Sequence, residues 1–170
     1  MRPISESDIR ACFVNCSKGE ASRLGLPRDY AELPWADLDF LGWRDPGAPE
    51  RAYLVAEREG GNPQLIGIAL RAASGAARGF TARSICTICK TTRTGGGVAL
   101  LSARRAGESG RNGNTVGQYI CSDLACSLYA RGKKISAGSL LDETLDRDAR
   151  IARVAKGLDS FLNRIIGSGG

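Results

Sequence analysis

The chain has 170 residues, of which 42% are hydrophobic and 25% charged, a composition that fits one globular domain and excludes a disordered chain. Histidine is absent, which excludes a Ser-His-Asp triad, a Cys-His dyad, a histidine-ligated metal and an HExxH helix. The net charge of +6 is uneven, since residues 71–134 hold 11 basic and 2 acidic side chains. This segment predicts either a positive surface for phosphates or an acidic protein, or solvated side chains that maintain solubility.

The first predicted element is a helix that begins at Ser5, because Ser5 and Asp8 have the spacing of a capping box. An apolar stripe at helical spacing continues this helix through Ile9, Cys12, Phe13 and Cys16. Residues 24–49 contain four prolines, so we predict a loop with short helical turns. The aromatic side chains of this loop are expected to cover one side of the core; they are Tyr30, Trp35, Phe40 and Trp43.

Two hairpins are predicted in the middle of the chain. Residues 51–57 and 64–70 have the composition of strands and flank a turn with two glycines, an asparagine and a proline. Residues 98–103 and 115–121 form a second strand pair, which a polar, glycine-rich stretch joins. Residues 74–79 are rich in glycine and alanine, and we interpret them as a connector between the hairpins.

Two helices are predicted after the hairpins. The first runs from about residue 122 to Arg131 and ends at Gly132. The second runs from Asp142 to Ile166 and is stopped by Gly167. Its predicted apolar face consists of Leu145, Ala149, Ala152, Ala155, Leu158, Leu162 and Ile165.

Four cysteines have the spacing of a metal site. Cys86 and Cys89 form a CxxC pair, and Cys121 and Cys126 form a second pair downstream; together they can surround one Zn²⁺ with four thiolates. The first pair lies on a turn, and the second spans a strand end and the first turn of a helix. This is the arrangement of a treble-clef zinc finger. Because the protein fills all four positions, we expect the zinc to be structural.

Other interpretations of the cysteines stay open at this point. Four thiolates also suit a rubredoxin-type iron site, a CxxC pair also occurs in thioredoxin-like redox sites, and the two pairs could be unliganded. Cys12 and Cys16 lie on the predicted apolar stripe, which favours packing in the core over a redox or ligand role.

Catalytic and targeting motifs are missing. The sequence contains no GxSxG, GxxxxGK[ST] or GxGxxG, so we expect a protein that is not an enzyme. The acidic residues from Asp142 to Asp148 are explained by the dipole at a helix start, and the loop Gly95–Gly97 needs no bound phosphate. No signal peptide or membrane span is visible, which predicts a cytoplasmic protein; the glycosylation sequon at Asn15 is attributed to chance.

Several stretches carry a resemblance to a known family, over roughly residues 5–165. They are Phe13-Val-Asn-Cys-Ser-Lys-Gly-Glu20, Asp39-Phe-Leu-Gly-Trp43, Cys86-x-x-Cys89, Gly95-Gly-Gly97 and Tyr119-Ile-Cys-Ser-Asp-Leu-Ala-Cys126. They resemble the elongation factor G-binding proteins of the fusidic-acid-resistance type, known as the FBP domain. The resemblance implies an α+β fold, with an antiparallel sheet, flanking helices, a Cys₄ treble clef and a long C-terminal helix.

The resemblance also implies a partner and a surface. By this resemblance, the zinc ligands are Cys86, Cys89, Cys121 and Cys126, and the partner is elongation factor G. Such proteins speed the release of elongation factor G from ribosomes that fusidic acid has stalled. The surface around the zinc finger that contacts the factor would carry Tyr119, Tyr129, Arg104, Arg105, Arg111, Lys133 and Lys134.

We therefore expect a binding protein that docks on elongation factor G and changes its residence on the ribosome, with neither a membrane nor a small-molecule substrate as partner. The alternative is a zinc module that binds ribosomal RNA through the basic segment. The chain is expected to form one zinc-containing domain over residues 1–170. Its parts would be an N-terminal helix, loop and hairpin (1–79), the treble clef (80–134), the C-terminal helix (135–166) and a flexible tail (167–170).

Overall fold

The fold is an antiparallel sheet with helices on both faces. The structure is a computed structural model, and it describes residues 1–58, 64–72, 83–135 and 143–167. The strands are β1 (Phe40–Arg44), β2 (Arg51–Arg58), β3 (Gln64–Ala72), β4 (Ser84–Ile85), β5 (Thr92–Arg93), β6 (Val98–Arg104) and β7 (Thr115–Cys121). The helices are α1 (Glu6–Ala11), α2 (Lys18–Arg23), α3 (Gly107–Arg111), α4 (Cys126–Ala130) and α5 (Arg147–Ile166), with 3₁₀ turns at Tyr30–Glu32 and Trp35–Asp37.

Five strands make the main sheet, in the order β1-β2-β3-β6-β7, and every neighbouring pair is antiparallel. Strands β4 and β5 form a separate two-stranded ribbon. Both predicted hairpins are present as β2–β3 and β6–β7, and the α+β fold class is confirmed. The turn at 59–63 and the connector at 74–79 lie outside the described residues.

Side chains alternate along the strands between two apolar clusters, one on each face of the sheet. Leu54 of β2 belongs to the cluster under α5, which also contains the four cysteines of the two pairs. Its neighbours Tyr53 and Val55 belong to the cluster under the N-terminal segments, together with Ile9 and Trp43. The core is therefore two layers separated by one sheet.

The N-terminal region differs from the prediction of one helix. Helix α1 begins after Ser5, whose side chain accepts a hydrogen bond from the Asp8 backbone N–H, but it ends at Ala11. Phe13 forms a parallel bridge to Gly67 of β3, where a Cβ atom would lie 2.8 Å from the Cys12 Sγ. The chain therefore leaves the helix after Ala11 and lies alongside β3, where Phe13 and Gly67 form the bridge. The predicted continuation of the helical stripe to Cys16 is wrong.

Two further differences concern strand β1 and helix α5. β1 lies inside the segment predicted to be loop, where it extends the sheet beside β2. Helix α5 begins at Arg147, after the cap that Asp146 provides to the Ala149 N–H, and the predicted start at Asp142 lies outside the described residues. Its buried face is Val154, Leu158, Phe161, Leu162 and Ile165. The predicted face is therefore correct at Leu158, Leu162 and Ile165, whereas Ala152, Ala155 and Leu145 of the prediction are exposed.

Two glycines let the metal-site loops approach the rest of the fold. A Cβ atom on Gly42 of β1 would lie 2.6 Å from the Leu124 Cβ, and one on Gly157 of α5 would lie 2.9 Å from the Ile88 carbonyl oxygen. Both distances are too short for any other residue, so β1 and α5 hold the two cysteine loops between them.

Among the described residues, no helix combines the length and apolarity that crossing a bilayer requires. The division of the chain at residues 79, 134 and 166 stays a prediction.

Candidate metal centre

The four cysteines of the two pairs meet at one point in the core. Cys86, Cys89, Cys121 and Cys126 are all buried, and their Sγ atoms lie within 4.8 Å of one another. The Sγ atoms of Cys86 and Cys126 are 3.6 Å apart, as are those of Cys89 and Cys121. Sulfurs placed tetrahedrally about Zn²⁺ at ~2.3 Å would be separated by about 3.8 Å. The donor set and its spacing therefore fit a tetrahedral zinc ion.

The first pair is held by a tight turn between β4 and β5. The Cys86 N–H donates to the Thr91 carbonyl at 3.1 Å, and the Lys90 N–H donates to the Cys86 carbonyl at 2.9 Å. Lys90 has φ +60°, a left-handed conformation that is uncommon outside glycine. This conformation turns the backbone so that both thiols face inward.

The second pair spans the end of β7 and the start of α4. The Leu124 N–H donates to the Cys121 carbonyl at 2.9 Å, and Leu124 has φ +57°. Lys90 and Leu124 are the non-glycine residues with positive φ in the part of the chain that the structure describes, and each lies in one of the cysteine loops. Backbone strain of this kind concentrates at sites where the surrounding structure imposes it.

The two loops are joined through β7. The Thr87 N–H and hydroxyl both donate to the Tyr119 carbonyl, at 2.9 and 2.6 Å. The Ser122 N–H donates to the Gly97 carbonyl at 3.0 Å, which connects the glycine loop to the second cysteine loop. The ligand positions are therefore fixed by backbone hydrogen bonds as well as by the thiols.

The thiols by themselves do not ionise together. Hydrogen bonding to Cys121 and Cys126 lowers the pKa of Cys89, whereas hydrogen bonding to Cys121, Cys86 and Cys89 raises the pKa of the fully buried Cys126 well above its ordinary value. A divalent cation is the group that would allow four thiolates to coexist in this volume. With four protein ligands, no position is open for a catalytic water.

A buried cation lies beside the cluster. The Arg93 side chain is 13% exposed, its guanidinium lies 4.2 Å from the centre of the Tyr129 ring, and its Nη1 is 3.7 Å from an Asp123 carboxylate oxygen. Its Nε and Nη1 atoms are buried without a hydrogen bond. The positive charge of the Arg93 guanidinium fits a site of opposite charge beside it, since four thiolates and one Zn²⁺ together carry a net charge of about −2. Lys90 and Arg83, which also flank the site in sequence, are exposed.

The predicted partner-binding residues fall into two groups, at opposite ends of the β6–β7 hairpin. Val98 pairs with Cys121 at the metal end and Arg104 pairs with Thr115 at the other, six residues or about 20 Å away. Arg104, Arg105 and Arg111 therefore lie far from the cysteines. Tyr119, Tyr129, Lys133 and Lys134 lie near them.

Tyr129, Lys133 and Lys134, which lie near the metal, have carboxylate partners inside the chain. Tyr129 is 7% exposed, and its hydroxyl donates to Asp123 at 2.7 Å. Lys133 pairs with Asp37 at 2.6 Å, and Lys134 pairs with Asp123 at 2.9 Å. Tyr119 is 43% exposed and forms part of the outer surface beside the first loop. That these seven residues bind a partner stays a prediction.

Sequence reasoning missed an ion pair that secures the metal region. Arg131, which follows α4, donates to both Asp39 carboxylate oxygens, at 2.6 and 2.8 Å. The pair is largely buried, since the Arg131 side chain is 10% exposed and the Asp39 side chain is 14% exposed. The partners are 92 residues apart, so no spacing pattern in the sequence could have joined them.

The remaining cysteines are not part of the centre. Cys12 packs against the N-terminal apolar cluster, and burial raises its pKa to about 12. Burial, with a smaller contribution from Glu20, raises the pKa of Cys16 to about 11. Both groups are therefore thiols at neutral pH and are suited to packing.

Comparison with known proteins confirms the family resemblance. The model of the FBP C-terminal treble-clef zinc-finger matches residues 8–165. Among solved structures, the chain is similar to the fusidic acid resistance protein FusC, with a TM-score of 0.61 and 16% identity over 97% of this chain and 60% of that one. The chain thus spans about 60% of that protein, and at this identity the likeness shows a shared fold. No curated protein matches the sequence. The family match and the buried cysteines establish a structural zinc site.

Proposed function

Since the chain belongs to the FBP C-terminal treble-clef zinc-finger family, we propose that it is a non-catalytic binding protein that docks on translation elongation factor G. In this proposal it acts in the cytoplasm and changes how long the factor stays on the ribosome. The fold shared with a fusidic acid resistance protein supports translation as the process concerned. The observation that carries the proposal is the outer surface of the zinc centre.

This surface exposes apolar groups on a rigid base. Ile85 is 55% exposed and directly precedes the ligand Cys86, and Tyr119 is 43% exposed on β7. The Thr87 N–H and hydroxyl donate hydrogen bonds to the Tyr119 carbonyl, so Ile85 and Tyr119 flank the same cysteine loop. Exposed aromatic and aliphatic side chains on a rigid surface are typical of the central contacts of a protein interface.

Charged residues surround these apolar groups. Arg83 and Lys90 are exposed and lie on either side of the first cysteine pair. Basic side chains at the edge of an interface accelerate association more than they strengthen binding. Lys133 and Lys134 are engaged with Asp37 and Asp123, so we expect them to contribute less than the sequence suggested.

The test is a calorimetric titration of the zinc-loaded chain into purified elongation factor G at two salt concentrations. We expect saturable one-to-one binding that Ile85→Ala and Tyr119→Ala together weaken at least tenfold, since both remove buried apolar contacts at the interface. Val14→Ala is the matched control, because Val14 is also an exposed hydrophobic residue but lies in the N-terminal segment. It should leave the affinity unchanged.

Three outcomes would contradict the proposal. Absence of binding at tens of micromolar would leave the zinc fold without this partner. Binding to a ribosomal RNA fragment instead, with affinity that falls steeply as salt rises, would favour the RNA-binding alternative. Equal losses for Val14→Ala and for the pair at the zinc centre would show that the interface lies elsewhere.

A further inference from the structure

A second site of interest lies at the far end of the sheet from the zinc. There the N-terminal segment and the sheet enclose a cleft of about 200 Å³. Its lining includes four arginines from four different elements: Arg23 of α2, Arg51 of β2, Arg71 of β3 and Arg104 of β6. Neither the family match nor the zinc centre accounts for this concentration of positive charge.

The strand register explains why the arginines converge. Arg51 is directly opposite Arg71, and Arg71 is directly opposite Ser102, so these side chains form one row across the sheet. Arg104 is two residues beyond Ser102 and therefore points to the same face. Arg23 approaches this face from α2.

The cleft exists because β3 and β6 separate at this point. Their ladder contains the pairs Arg71–Ser102 and Ala72–Leu101; continued outward, it would pair Leu70 with Ala103 and then Ala69 with Arg104. The Asn15 side chain occupies that position instead. Its Nδ2 donates to the carbonyls of Ala69 and Arg104 at 2.9 and 3.0 Å, and its Oδ1 accepts from the Ala69 N–H at 2.8 Å. The opening is therefore a fixed part of the fold.

The positive charge in the cleft is poorly compensated. Within the described residues, Arg23, Arg71 and Arg104 form no ion pair, and the nearest acidic oxygen to Arg51 belongs to Glu50 at 3.9 Å. Glu20 is the acidic residue among those lining the cleft, and it also completes the capping box of α2 with Ser17. Like charges directly opposite in a sheet are destabilising, so Arg51 and Arg71 oppose folding rather than support it. With Glu50 3.9 Å from Arg51 and no ion pair at Arg71 in the described part of the chain, most of this positive charge is left for an anionic ligand to neutralise.

We propose that this cleft binds the diphosphate group of a small ligand, such as a nucleoside diphosphate, and catalyses no reaction of that ligand. Four arginines and one glutamate give a net charge of +3. A terminal phosphate carries about −1.5 to −2, and the adjoining phosphate brings the total to about −3. Guanidinium groups bind phosphate oxygens in pairs, and the hydroxyls of Ser102 and Thr115 line the same cleft.

Size and shape favour a compact group over a polymer. Pockets for drug-sized ligands have volumes of roughly 300 to 1,000 Å³, so this cleft suits the charged end of a ligand whose remainder stays outside. An RNA strand would be expected to follow an extended basic groove. Here the arginines converge on a single concavity.

The test is calorimetric titration of the zinc-loaded chain with inorganic pyrophosphate and, separately, with ADP and a single-stranded RNA oligonucleotide. We expect saturable pyrophosphate binding with Kd below about 1 mM, and ADP binding within a few-fold of it. The Arg71→Gln/Arg104→Gln double variant should bind at least tenfold more weakly. Arg147→Gln/Lys156→Gln is the matched control, since it removes two exposed charges from α5 and should bind as the natural sequence does.

Glu20→Gln tests the charge argument independently. The glutamine carbonyl can accept the Ser17 hydrogen bonds that Glu20 accepts, so the capping box and the fold should persist. Removing the one negative charge should tighten pyrophosphate binding two- to fivefold. The proposal is overturned by undetectable pyrophosphate binding, by equal losses in the double variant and its control, by weaker binding of Glu20→Gln, or by binding of RNA without pyrophosphate.

Discussion

The zinc end and the arginine cleft are both basic in sequence, but they differ in how the fold treats their charges. Near the zinc, cationic side chains lie against carboxylates: Arg131 on Asp39, Lys133 on Asp37, and Arg93 and Lys134 on Asp123. In the cleft, four arginines share Glu20 as the acidic residue among the lining. An excess of basic residues in a segment of the sequence therefore does not locate the positive surface.

The difference arises from residues remote in sequence. Asp37 and Asp39 come from the acidic N-terminal half, and they neutralise cations almost 100 residues downstream. Among the described residues, no carboxylate forms an ion pair with Arg71 or Arg104, and Glu20 acts on both only from a longer distance. At the zinc end, Arg93, Arg131, Lys133 and Lys134 are therefore paired inside the chain, while Arg83 and Lys90 stay exposed; the cations of the cleft are available for a ligand.

Cys89→Ser should have the largest effect, because it removes a zinc ligand at the end of the molecule that depends on the metal. Structural zinc sites contribute roughly 10–16 kcal/mol in finger peptides, which rivals the ~5–15 kcal/mol stability of a domain. We expect loss of the bound zinc and unfolding of at least residues 83–131. Metal analysis and a thermal melt followed by circular dichroism measure both.

The control for this variant is Cys12→Ser. Cys12 is a half-buried thiol outside the zinc cluster, so this variant should keep one zinc per chain and lose much less stability. Full zinc content and a native melt in Cys89→Ser would remove the metal assignment of this residue.

Arg131→Met should have the next largest effect, since it leaves the Asp39 carboxylate buried without its cation. Breaking a buried pair from one side costs about 3–5 kcal/mol. Lys133→Met, at a pair whose lysine is half exposed, should cost at most about 1 kcal/mol. Urea unfolding of the zinc-loaded variants gives both values. Similar losses for the two would mean that burial does not distinguish these pairs.

Arg71→Gln should have the smallest effect and the opposite sign. It removes one of two like charges that face each other across β2 and β3, which should raise the free energy of unfolding by about 0.2–1 kcal/mol. The same urea measurement applies, with Arg147→Gln as a control for the loss of one exposed cation. A loss of stability in Arg71→Gln would mean that the arginines support the fold, contrary to the comparison.

Elements with a local signal were predicted well. The cap at Ser5, the hairpins β2–β3 and β6–β7 and the stop of α5 at Gly167 follow from residues close together in the chain, and the structure has all of them. The errors occurred where a tertiary contact overrode the local pattern. Phe13 continues a helical stripe in sequence, but its contact with Gly67 draws it into a bridge with β3.

The zinc ligands were visible in the sequence because metal coordination requires particular residue types at short spacings. Cys86 and Cys89 share one turn, and Cys121 and Cys126 share another, so each half of the metal site can be recognised within a short stretch of sequence. Gly42 and Gly157 gave no such signal. Their role depends on the close approach of β1 and α5 to the cysteine loops, which is a property of packing.

The metal chemistry, the family and the two hairpins could be predicted from the sequence alone, because short-range patterns of thiols, apolar residues and turn residues specify each of them. Only the tertiary structure decided where the positive charge remains available. Electrostatic neutralisation depends on distances of a few ångströms in space, and Arg131 and Asp39 reach such a distance only after the intervening chain has folded. The cleft, likewise, depends on Asn15 lying between two strands that are remote from it in the sequence.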